Sequence, residues 1–145
     1  MFYNDVDINR CRSALCSIVQ QFNNRLERET YKENAIHYDW SDPYSMSVDD
    51  VRKCVYEMEF RLTPTNLFSY WDGSPFEEID EQALEVAWWR IKELRKAWKG
   101  IRIAATKQGY DIPDDYNQLV ETQYKKVQHA LDNYVEGTHV DPKNF

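Results

Sequence analysis

A chain of 145 residues can bury roughly 68 to 70% of the surface its unfolded form exposes, so one domain spanning 1–145 is expected, without a disulfide or metal staple. Its 18 basic and 25 acidic residues leave a net charge of −7, which argues against a generally phosphate-binding surface. The three cysteines Cys11, Cys16 and Cys54 are odd in number and lack CxxC spacing, which points to a reduced, cytoplasmic protein. Acids stand at the N-terminus where a signal peptide carries bases, and no apolar run approaches the ~18 residues of a membrane span, so no membrane partner is expected.

Taken in order, residues 1–6 read as a short leader and Asp7 as the cap of a helix over 7–29. Ile8, Cys11, Leu15, Ile18, Val19, Phe22 and Leu26 recur on it at i, i+3, i+4 spacing. From residue 30 to 46 the periodicity fails, and Tyr31, Tyr38, Trp40 and Tyr44 mark a long connection with aromatic anchors. Ser47 followed by Asp50 gives a capping box that opens a helix over 48–62. Its core stripe is Val51, Cys54, Val55, Met58 and Leu62, and Tyr56 with Phe60 one turn apart on the other side suggests packing on two faces. An aromatic-rich loop follows over 63–73.

The longest element is expected over 75–107. Ser74 suits its N-cap, Pro75 its first position and Glu77 the third place of a capping box. Ala83, Leu84, Ala87, Trp88, Ile91, Leu94, Trp98, Ile101 and Ala105 form its core stripe. That stripe keeps its phase across Gly100, so the helix continues there, close approach of a neighbour being the reason for glycine, and Gly109 is the stop. A last helix over 113–136 carries Tyr116, Leu119, Val120, Tyr124, Val127, Ala130, Leu131 and Tyr134, with Gly137 as its C′ residue and a loose tail over 138–145. No strand-like alternation appears. The expected fold is all-α, a bundle of about four helices.

The outer side of the long helix is segregated by charge. Residues 72–85 hold six acids and no base, and residues 90–107 seven bases against Glu93 alone, an arrangement the helix macrodipole favours. Lys92 with Lys96 and Arg95 with Lys99 are nevertheless like-charge pairs at i, i+4, each unfavourable by roughly 0.2 to 0.5 kcal/mol in an isolated helix. Either acids elsewhere in the chain compensate them, or they face a partner. In the second case Trp89 is an aromatic anchor among Lys92, Lys96, Lys99 and Arg102, with Ile103 on the same side. Another protein is the expected partner, a nucleic-acid backbone a less favoured one, and self-association is compatible with the same surface.

Two other chemistries use the acids. Glu77, Glu78 and Glu81 form an EExxE pattern, which resembles one half of the motif of all-α nucleotide pyrophosphohydrolases of the MazG type. That resemblance implies Mg²⁺ held on substrate phosphates by carboxylates one turn apart. It covers this pentapeptide alone, because the ExxD of a following helix has no counterpart: Glu121 is followed at that spacing by Tyr124. Alternatively, Glu77, Glu78, Glu81 and Glu85, extended by Asp72, Asp111, Asp114 and Asp115, form an acidic ridge that imitates a nucleic-acid backbone and inhibits a nucleic-acid-binding protein. The dipeptide patterns His37/Asp39 and His139/Asp141 lack helical partners, and no P-loop, GxGxxG or GxSxG is present. No motif calls for a cofactor or metal, and the reading from sequence is a non-enzymatic binding module.

Overall fold

The computed structural model describes residues 5–42, 45–70, 73–137 and 145. It is an all-α helical bundle of α1 (Asp5–Arg28), α2 (Val48–Arg61), the short α3 (Pro64–Leu67), α4 (Glu81–Gln108) and α5 (Asp114–Asp132), with a 3₁₀ turn at Lys32–Asn34. Among the described residues there is no strand, and no helix is long and apolar enough to cross a membrane. The chain divides into two compact units, Met1–Met58 with Lys96–Pro113 and Glu59–Arg95 with Asp114–Phe145. Helices α2 and α4 therefore each give one stretch to either unit.

In the first unit the apolar stripes are buried as their spacing requires. Cys11, Leu15, Ile18, Val19, Phe22 and Leu26 of α1 and Val51, Cys54, Val55 and Met58 of α2 are all inaccessible, each large side chain contributing about 1.5–3 kcal/mol by leaving water. Helix α1 starts at Asp5, so Asp7 lies inside it and does not cap it; residues 1–4 of the expected leader lie outside the described residues. Ser47 and Asp50 do form the capping box. The Asp50 main-chain N–H donates to Ser47 Oγ (3.1 Å), and Asp50 Oδ2 accepts from the Ser47 N–H (3.4 Å).

The long connection is pinned by polar groups. Asn23 donates from Nδ2 to the Ile36 carbonyl (3.0 Å) and accepts the Ile36 N–H at Oδ1 (2.7 Å), while Gln108 Nε2 donates to the Met46 carbonyl (2.7 Å). Ile36 and Met46 are thereby held in the core. Of the expected aromatic anchors, Tyr31 and Trp40 are exposed, and Tyr44 lies outside the described residues. Helix α4 runs unbroken through Gly100, where a methyl group would stand 3.1 Å from the Cys11 carbonyl oxygen and 3.2 Å from its Cβ. Close approach of α1 is thus the reason for that glycine. Ile103, expected on the outer side, is buried. Tyr56 is exposed, so the first unit does not pack α2 on the second face expected for it.

The ends of α1 and α4 use one device. Tyr31 N–H reaches the Leu26 carbonyl (2.8 Å) and Thr30 N–H that of Glu27 (3.2 Å); Tyr110 and Gly109 repeat this on Ala105 (2.9 Å) and Thr106 (3.2 Å). Both are Schellman motifs, which need a left-handed residue at C′. Gly109 supplies it at φ +68°, whereas the β-branched Thr30 is held there at φ +62°, a strained choice.

In the second unit the start of α4 differs from expectation. Tyr70 N–H donates to the Ser74 carbonyl (2.8 Å) and Phe76 N–H to that of Phe68 (3.0 Å), with an isolated antiparallel bridge between Ser69 and Pro75. The rings of Tyr70 and Phe76 meet edge to face at 4.5 Å. Residues 74–76 are thus held by this bridge, and Ser74 does not stand at the N-cap of α4. The helix starts at Glu81 instead, where Asp80 Oδ1 accepts the Ala83 N–H at 2.8 Å. The expected loop contains α3, whose Pro64 occupies the first helical position and whose Leu67 is buried together with the following Phe68. Phe60 is exposed. Helix α5 ends at Asp132, short of 136: the His129 carbonyl accepts both the Asn133 N–H (3.0 Å) and Asn133 Nδ2 (2.8 Å), and the Tyr134 N–H turns to the Leu131 carbonyl (3.4 Å). Of the tail, 138–144 lie outside the described residues, His139 and Asp141 among them, and the Phe145 ring stands 4.7 Å from that of Phe68.

Two stability measurements check these termini. In urea titrations Asp80→Ala is expected to cost about 1 kcal/mol and Ser74→Ala clearly less, since only Asp80 caps α4. Gly109→Ala is expected to destabilise and Thr30→Gly to stabilise, each by up to about 1 kcal/mol, because both C′ positions demand a positive φ.

Candidate partner-binding surface

The charged residues of α4 fall partly in each unit. In the second unit Trp88 and Trp89 are adjacent in sequence but differ in role. Trp88 is half-buried and lies 5.0 Å from the Tyr124 ring of α5. Trp89 turns outward and is 53% exposed. Lys92, one turn on, is exposed with its Nζ 5.3 Å above the Trp88 ring. Arg95 lies over Tyr124 (4.3 Å) and makes a two-point bridge to Glu121, 2.9 Å from Nε and 3.3 Å from Nη2. Each cation is therefore seated on an aromatic face or a carboxylate of the same unit, which offsets the like-charge spacing.

In the first unit Lys96 and Arg102 are exposed, and Lys99 is half-buried with Nζ 3.5 Å from Asp7 of α1. The compensation expected from acids elsewhere in the chain is thus present for Arg95 and Lys99. The sequence position of Arg90 gives no sign of its role, yet its side chain is held by main-chain carbonyls. Its Nη1 donates to the carbonyls of Leu67 (3.0 Å) and Ser69 (2.5 Å), fastening the α3 turn to the helix. Burial, and next the nearby Arg61, lower its pKa from the ordinary value. The apolar stripe at Ala87 and Ile91 flanks it and gave no hint of this role.

The four glutamates are all exposed, but they do not share a helical face. Glu77 and Glu78 belong to the bend before α4, Glu81 is its first residue, and Glu85 lies one turn further. The helical stacking assumed for EExxE is therefore absent. Asp72 lies outside the described residues, and Asp111, Asp114 and Asp115 are exposed near the start of α5. Among the described residues no group of three or more His, Cys, Asp or Glu side chains is arranged to hold a metal ion.

The three thiols, all in the first unit, are free. Burial raises the pKa of Cys11, Cys16 and, most strongly, Cys54. Burial also raises that of Tyr38, whose hydroxyl lies in the interior and whose ring meets Trp40 at 4.4 Å. These groups are kept neutral, the opposite of what an attacking thiolate needs.

Compared with models of known protein families, with curated protein sequences and with solved structures, the chain has no match.

The raised pKa values set a direction for pH dependence. An acid whose folded pKa lies above its unfolded one leaves the native state holding more protons, so stability falls as pH rises past the ordinary thiol and phenol values, about 8.5 and 10. Urea midpoints are expected to be level from pH 7 to 8 and to decline above about 9. Cys54→Ala should reduce that decline, and at pH 8 a thiol reagent should modify Cys16 before Cys54.

Proposed function

We propose that the chain is a non-enzymatic helical binding module, an adaptor, regulator or inhibitor, that engages another protein through the outer side of α4. Trp89 is its anchor and Lys92 its first positioning charge. The observation that carries this reading is the exposure of Trp89 on a helix whose other indoles turn inward, since Trp is enriched at the energetic centres of interfaces. In the first unit Lys96 and Arg102 are further exposed bases that can strengthen attraction to an acidic partner. Lys99 contributes less because Asp7 already holds it.

Glu81 and Glu85 precede Trp89 on the exposed side of the same helix, and they would repel a phosphate backbone. A protein partner is favoured over nucleic acid for that reason. The acidic-mimic reading has weaker support, because Glu77 and Glu78 precede the helix that carries Glu81 and Glu85. The pyrophosphohydrolase reading loses the stacked carboxylates on which its resemblance relied. Three free thiols suit a reducing compartment, the cytoplasm.

Trp89→Ala is expected to weaken binding to a captured partner by more than ~1 kcal/mol while the helical circular dichroism is unchanged. Equal affinities of the wild type and this variant, measured by calorimetry, would remove Trp89 from the surface.

A further inference from the structure

The outer side of α4 is self-complementary, and we infer that its occupant is a second copy of the same chain, paired antiparallel about a two-fold axis beside Trp89. The inference rests on the binding role proposed for α4 and names the partner. Glu81, Glu85, Trp89 and Lys92 all belong to the second unit and are all exposed. At about 100° per residue they fall within an arc of roughly 80°. Acids lie on the N-terminal side of the indole and a base on the C-terminal side.

A two-fold interface places each residue opposite its mirror position along the partner helix. With the axis level with the Trp88–Trp89 peptide, Glu85 and Lys92 lie equally far from it, about 5 Å on either side at 1.5 Å per residue. Glu85 of each copy then faces Lys92 of the other, giving two identical charge pairs, while the two Trp89 rings meet at the centre at a separation suited to aromatic packing. A parallel arrangement would set glutamate against glutamate and lysine against lysine. Charge therefore selects the antiparallel register. One helix face buries less than a standard interface, so the dissociation constant is expected on the order of 10 µM.

The test is a charge-swap set, weighed by sedimentation equilibrium at concentrations well above that constant. The wild type should be a dimer. Glu85→Lys and Lys92→Glu should each weaken association about tenfold or more, since each places like charges opposite one another. An equimolar mixture of the two single variants should dimerise again, because the lysine introduced in one copy then faces the glutamate introduced in the other, and the remaining native pair is intact. Circular dichroism on each variant confirms that the helices are kept, and the mixture needs no doubly substituted chain to fold. A monomeric wild type, or single variants that dimerise as the wild type does, overturns the inference. If the wild type is monomeric and a different protein is lost on Trp89→Ala, self-pairing falls and the broader binding role stands; if no Trp89-dependent partner exists either, both fall.

Discussion

The first unit depends on how closely α1 and α4 approach at Cys11 and Gly100. The 3.1 Å that a Cβ at Gly100 would have to the Cys11 carbonyl oxygen is tighter than ordinary van der Waals contact, so the separation of the helices is set by the absence of a side chain. Ala97, Ala104 and Ala105 nearby are buried as well, and small residues in adjacent turns let the backbones stay close. A glycine inside a helix costs about 1 kcal/mol against alanine. Here that cost is offset by the packing it permits, since protein interiors tolerate little unfilled or overfilled volume.

Around this contact, buried polar groups fix positions that apolar packing alone would leave free. Glu57 is fully buried and bridged by Arg25 at 2.9 Å. Such a pair adds little net stability, but a shift of α2 against α1 would leave a charge stranded, so it penalises alternative packings. Asn23 on Ile36 and Gln108 on Met46 act in the same way on the long connection. In the second unit Gln123 is buried and donates to the Leu62 carbonyl (3.0 Å), and Arg90 holds two carbonyls of the α3 turn. Irregular backbone can be kept under cover here because side chains satisfy its carbonyls.

How legible this was in the sequence depended on whether the deciding interaction was local. The stripes of α1 and α2, the Ser47–Asp50 box, the run through Gly100 and the stop at Gly109 are all set by residues within a few positions of each other, and they read correctly. Ser74 failed as a cap because the bonds between residues 68–70 and 74–76 hold it in a reversal, and Asp80 offered the same chemistry six residues later. The positive φ of Thr30 was invisible because its side chain argues against it. Arg90 and Gln123 find their partners, the carbonyls of Leu67, Ser69 and Leu62, in segments distant in sequence. At the candidate surface, periodicity placed Trp89 and Lys92 on the outer side of the helix, but it could not pair Lys99 with Asp7 or Arg95 with Glu121.

The charge segregation of α4 can now be separated into its causes. The macrodipole favours acids before bases along any helix, each worth about 0.3–1 kcal/mol within the terminal turns. Its reach ends there, and Glu85 and Lys92 lie beyond the first turn and far from the last. Arg95 and Lys99 are accounted for by Glu121 and Asp7, and Lys92 partly by the face of Trp88. What these causes do not account for is an exposed indole between an acid and a base equally spaced about its peptide link. A surface selected only for solubility has no reason to set opposite charges at equal distances on either side of its largest apolar side chain, whereas the pairing inferred across a two-fold axis uses that complementarity.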